Sequence, residues 1–91
     1  MKLKIDSPCS ASVILTYGIK SWPIWEREPS KFNWNYDEKE SCLILQGEAL
    51  ITTNDGEEYI IKSGDFVCFP SGMECTWEIY KTIKKHYRLG D

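Results

Sequence analysis

The sequence predicts an all-β barrel of short antiparallel strands, and three observations carry that prediction. From residue 32 onward, apolar residues recur at alternate positions, the period of a strand with one buried face. Turn sequences built on Gly, Pro, Asn and Asp interrupt the alternation at intervals of about 8–12 residues, the spacing of a sandwich or barrel. Residues 42–45 are apolar on both faces, which suggests that one face lines the barrel and the other meets a second sheet or a partner subunit.

The elements follow in order. Residues 2–6 alternate and can form an edge strand. Ser10 to Tyr17, with serines before it and Gly18 after it, reads as a short N-terminal helix stopped at a glycine. Its β-branched residues fit a strand nearly as well. Pro23 and Pro29 bracket a short extended segment suited to a sheet edge. Phe32, Trp34 and Tyr36 share one face of the next strand, and Glu40, Cys42 and Ile44 one face of another that Gly47 ends. Ala49 to Thr53 and Glu58 to Lys62 flank Asn54-Asp55-Gly56, a hairpin turn whose residues accept positive φ. Ser63-Gly64-Asp65 and Pro70-Ser71-Gly72 are further turns around the apolar run Phe66 to Phe69, and Asp65 is expected to cap its own turn. Cys75, Trp77 and Ile79 share a face, and Lys84 to Leu89 form a last strand.

At 91 residues the chain has room for one domain, residues 1–91. A chain of this size buries only about 60–65% of its unfolded surface, so exposed strand faces favour a homodimer. A formal charge of −3 argues against nucleic acid as a partner. The longest apolar stretch, around Val13 to Leu15, is far too short for a bilayer, so no membrane partner is expected. Met1-Lys2-Leu3-Lys4 lacks the apolar core of a signal peptide, which makes the cytoplasm the expected location. There the four cysteines, Cys9, Cys42, Cys68 and Cys75, are expected as free thiols, and no C-x-x-C pair suggests structural zinc.

Two spacings carry a family resemblance. Gly64-Asp65-Phe66-Val67-Cys68-Phe69-Pro70-Ser71-Gly72-Met73-Glu74-Cys75 resembles the second cupin motif, G-x5-P-x-G-x2-H, with Cys75 at the histidine place. The first motif, H-x-H-x3-E-x6-G, fits Glu40 and Gly47, and its two histidine places fall on Trp34 and Tyr36. Trp22-Pro23-Ile24-Trp25, Glu38 with Glu40, Thr76-Trp77-Glu78 and Lys85-His86-Tyr87 are similar to the small cupins related to ureidoglycine aminohydrolase and the ethanolamine-utilisation cupins. Within that group the chain resembles the compact members that also carry cysteine at the last ligand place. The resemblance covers residues 32–89 and implies a cupin-type double-stranded β-helix, a jelly-roll barrel, with a pocket inside it. It implies no particular reaction.

Three functions are compatible with such a pocket. One is binding of a small polar ligand between aromatic walls, with Trp34, Tyr36, Cys42, Trp77 and His86 as ligand-binding residues. The second is metal-independent catalysis, with Glu40 as acid or base and Cys75 as nucleophile. The third is a reduced metal site from Glu40, Cys75 and His86, since carboxylate, thiolate and imidazole all bind Zn²⁺. The three-histidine site usual in the family that the chain resembles is excluded because His86 is the only histidine. No cofactor is therefore expected, with zinc the disfavoured alternative. Trp22 and Trp25 read as core or dimer-contact aromatics, and Lys81, Lys84, Lys85 and Arg88 as a solvated basic face.

Overall fold

In the computed structural model, which describes residues 2–90, two long strands hold the molecule together. The elements run β1 (Lys4–Asp6), α1 (Ala11–Tyr17), a 3-10 turn (Ile19–Ser21), β2 (Ile24–Arg27), β3 (Lys31–Asn35), β4 (Glu40–Thr53), β5 (Glu58–Lys62), β6 (Phe66–Phe69) and β7 (Glu74–Leu89). All strand pairs are antiparallel. β4 and β7 pair along their whole lengths, and at a bend midway in each the one seven-stranded sheet folds over, so that its two halves pack on each other as two sheets. The first half of β4 and the second half of β7 lie in the order β1-β6-β4-β7-β2. Their other halves carry β5 and β3. Cys42, Ile44, Val67 and Phe69 from the first sheet meet Ala49, Ile51, Ile61, Trp77 and Ile79 from the second in one buried core. This is the all-β jelly roll that the motif spacings imply.

The bend is where the sequence misleads. Gly47 reads as a strand terminator, yet β4 runs through it with shifts in register against β7 between Ile44 and Ala49. Its φ of 99° lies in the region open to glycine. A Cβ there would lie 2.1 Å from the Thr82 carbonyl oxygen and 2.7 Å from that of Lys81. The chain bends because only a bare α-carbon fits against β7. The inward row of β4 accordingly changes from the even positions 40, 42 and 44 to the odd positions 49, 51 and 53. β7 likewise continues from Ile79 to Leu89 where two strands are expected.

Ser10 to Tyr17 resolves as helix, capped at both ends. The Ser10 hydroxyl accepts from the Val13 amide at 3.2 Å, and Gly18 closes the helix at φ 60°. The helix and the 3-10 turn lie over the outside of the first sheet. Ile19, Trp22, Leu43 and Phe66 form a second buried cluster there, with Val13 and Ile14 packed against it. The outer face of Leu43 is therefore covered by this N-terminal segment, not by a second sheet or a partner, while Leu45 stays exposed. Asp65 holds its turn as expected, accepting from the Lys62 amide at 3.0 Å and from the Ser7 hydroxyl at 2.5 Å. No helix among the described residues is long and apolar enough to cross a membrane.

Candidate functional site

Inward-facing side chains from β2, β3, β4 and β7 enclose a pocket of about 340 Å³. Its floor is an ion pair. Glu40 occupies the first inward position of β4, and Lys85 lies in the inward row of β7, opposite Ile44. The Lys85 Nζ donates to Glu40 Oε2 at 2.6 Å, and the two side chains retain only 6% and 9% of their exposure. Taking both charges out of water is costly, so the pair depends on close geometry and on what surrounds it. Around the ammonium, the ring centres of Trp25 and Trp77 lie 4.8 Å away and that of Phe69 5.9 Å. Their electron-rich faces offset part of the lost hydration.

The walls are aromatic and tightly ordered. Phe32 stacks on Trp77 with ring centres 6.1 Å apart, and Trp34 meets Phe32 edge-on at 6.3 Å. Tyr36 stacks on Phe69 at 4.5 Å and accepts a hydrogen bond from Trp77 Nε1 at 3.1 Å. That bond fixes the Trp77 ring. Burial, reinforced by the nearby Glu40 carboxylate, holds the Tyr36 phenol far above its usual pKa, so it remains a neutral hydroxyl. Trp34 is 46% exposed and stands on the open side of the pocket, where Asn35, Asp37 and Glu38 supply polar groups.

Of the residues singled out from sequence, Glu40, Trp34, Tyr36 and Trp77 line this pocket. Cys42 and Cys75 do not. Both are buried in the adjoining core. Burial pushes Cys42 up to about 12 and Cys75 up to about 11, with Lys85 pulling each down and Glu40 pushing each up. Both are therefore thiols at neutral pH, with little nucleophilic character. His86 faces the opposite side of β7. It pairs with Leu43, and its Nδ1 lies 2.9 Å from the Trp22 carbonyl oxygen under the N-terminal segment. A strand's alternation makes this unavoidable once Lys85 points inward. Lys85 itself, expected on a solvated face, is the correction of greatest consequence.

The sequence contained a signal for it. Positions 75, 77, 79, 83, 85 and 87 have one parity, and all face inward or partly so along β7. Dividing β7 into two strands removed the reason to carry that parity past Lys81. Trp25 and Tyr87, which also line the pocket, were missed for the related reason that strand pairing is not visible in the chain, whereas Phe32 lies as expected on the face of Trp34 and Tyr36.

The donor set does not fit the metal site that the resemblance to cupins implies. Trp34, Tyr36 and Cys75 stand at its histidine places, and the Glu40 carboxylate is held by the Lys85 ammonium. Glu40, Cys75 and His86 do not converge, and no group of three or more His, Cys, Asp or Glu among the described residues could hold a metal ion.

The cysteine environments give a direct expectation. Iodoacetamide at pH 8 should modify the partly exposed Cys9 and Cys68 while the protein stays folded, and Cys42 and Cys75 only on unfolding, as read by peptide mass spectrometry. Their raised values also tie stability to pH. A thiol that ionises near 9.0 when unfolded and near 11 when folded, as Cys75 does, stabilises the fold fully below 9.0 and loses that contribution as pH rises towards 11. Urea midpoints should therefore fall above pH 9.

Comparison with known proteins agrees with this architecture. The EutQ-like cupin domain profile matches residues 16–87. A DUF861 family protein from Thermotoga maritima superposes with a TM-score of 0.94 at 41% identity, over 97% of this chain and 99% of that one. A putative ethanolamine utilization protein Q from Salmonella typhimurium superposes with a TM-score of 0.67 at 22% identity, over 74% of this chain and 54% of that one. The EutQ protein of Clostridium difficile gives a TM-score of 0.67 at 18% identity, over 74% and 52%. The chain thus spans about half the length of these two proteins, and the likeness to them is one of fold. No curated protein matches the chain. The profile match and the extent of identity to the Thermotoga protein show that the chain belongs to the EutQ-like cupin family.

Proposed function

We propose that this protein binds a small polar molecule in the barrel pocket. The observation that carries the reading is an open aromatic pocket with a buried ion pair at its base. Small-ligand sites commonly combine apolar walls with a few convergent polar groups, and this pocket has that composition. Catalysis by Glu40 and Cys75 has less support. Glu40 is held by Lys85, and Cys75 is a protonated thiol away from the pocket surface. Fold alone does not choose between these functions, so the choice rests on the site.

Thermal denaturation in the presence of a broad panel of small acids, amides, sugars and amines tests the proposal. At least one compound should stabilise the protein saturably, by about 2.7 kcal/mol at a hundredfold excess over its Kd, and be recovered unchanged. Trp34→Ala should weaken that compound about threefold to tenfold, the worth of one aromatic contact, while the half-exposed position leaves the fold intact. Conversion of the compound, or equal binding by Trp34→Ala, would contradict the reading.

A further inference from the structure

If the pocket binds a small polar molecule as proposed above, its floor specifies which kind. An ammonium carries three N–H donors, and Glu40 Oε2 takes one of them. The groups nearest the others are the faces of Trp25, Trp77 and Phe69, which supply no oxygen or nitrogen acceptor. Glu40 Oε1 has no hydrogen-bond partner among the described residues. Both side chains line the pocket, so their small remaining exposure opens onto it. A spare donor and a spare acceptor therefore stand side by side at its base.

Charge narrows the class further. The floor is neutral as a pair, so a charged ligand pressed against it would be desolvated with no net countercharge. Asp37 and Glu38 at the pocket wall repel an anion, and a cation that they attract gains nothing net from the paired floor. The half-exposed ring of Trp34 and the partly buried rings of Trp25 and Phe32 beside it favour a planar body. We infer that the ligand is an uncharged planar ring with an acceptor next to a donor along one edge, as in a lactam or other cyclic amide. Its carbonyl accepts from Lys85, its N–H donates to Glu40 Oε1, and its ring lies among the aromatic walls. A bare carboxylate or amine satisfies only one half of the floor.

Calorimetric titration of the full chain with four six-membered probes tests this. They are 2-pyridone, N-methyl-2-pyridone, benzoate and benzylamine. 2-Pyridone should bind at least about tenfold more tightly than each of the others, because each of them leaves a buried donor or acceptor unpaired. Equal or tighter binding of N-methyl-2-pyridone removes the role of Glu40 Oε1 and overturns the inference. Tighter binding of benzoate or benzylamine overturns it in favour of an ionic site, while the pocket remains a binding site. If none of the four binds at millimolar concentration the lactam class is wrong, and stabilisation by another compound of the wider panel decides separately whether the pocket binds anything.

Discussion

Gly47→Ala should abolish folding or lower stability by several kcal/mol. The new Cβ would stand 2.1 Å from one backbone carbonyl oxygen of β7 and 2.7 Å from another. Neither atom can move away as a flexible side chain could. Relief requires β4 and β7 to separate where they change sheets, and their pairing joins the two halves of the core. A domain of this kind has about 5–15 kcal/mol of stability in total, so losing that junction is comparable to losing the fold. Gly56→Ala provides the control. Its φ of 87° is also positive, but a Cβ there meets nothing within 4 Å. It should cost only the backbone strain, about 1–3 kcal/mol. Urea denaturation followed by circular dichroism separates the two. Similar midpoints for both variants would show that the bend tolerates a side chain.

Breaking the floor of the pocket should have the next largest effect. Lys85→Met leaves the Glu40 carboxylate buried without its partner and should cost about 3–5 kcal/mol. Glu40→Leu should cost less, because the Trp25 and Trp77 faces still surround the ammonium at 4.8 Å. Replacing both residues together removes two desolvated charges and restores apolar packing, so the double variant should approach wild-type stability or exceed it. The non-additivity of this cycle is the signature of direct coupling. Additive losses would place the two groups in separate environments. The stable double variant should also lose binding of any ligand that uses the floor, which separates the pair's role in recognition from its role in folding.

These two predictions rest on features the sequence showed unequally. The spacing of Glu40, Gly47, Gly64, Pro70 and Gly72 led to the barrel through its resemblance to the cupin motifs, and Gly64 and Gly72 act there through local backbone geometry, at turns with positive φ. Local geometry is legible in a chain. Ser10 and Gly18 likewise marked the helix, although Val13 and Ile14 between them obscured it by their preference for strands.

The site was half legible. Trp34, Tyr36, Glu40 and Trp77 were found because local alternation gives their inward face, although β3 ends at Asn35 and the strands of Glu40 and Trp77 run on through Gly47 and past Ile79. Lys85 was misplaced because a lysine among lysines reads as surface, and only its partner across the barrel explains its burial. His86 attracted a site role by its chemistry, but its direction is set by the parity of β7 and by the Trp22 carbonyl it meets. Cys75 returns into the core at the expected place, yet the pocket surface passes over it. Identity at a motif position carries the backbone and does not carry the chemistry.

The ligand is expected to sit on the Lys85–Glu40 pair inside the barrel. Heteronuclear NMR of the lysine side-chain methylene groups during titration with 2-pyridone tests it most directly. The Lys85 Cε–Hε resonance should shift saturably, together with the indole signals of Trp34 and Trp77, while His86 and Trp22 on the far side of β7 stay unchanged. Saturable shifts at His86 and Trp22 with Lys85 unmoved would contradict the account.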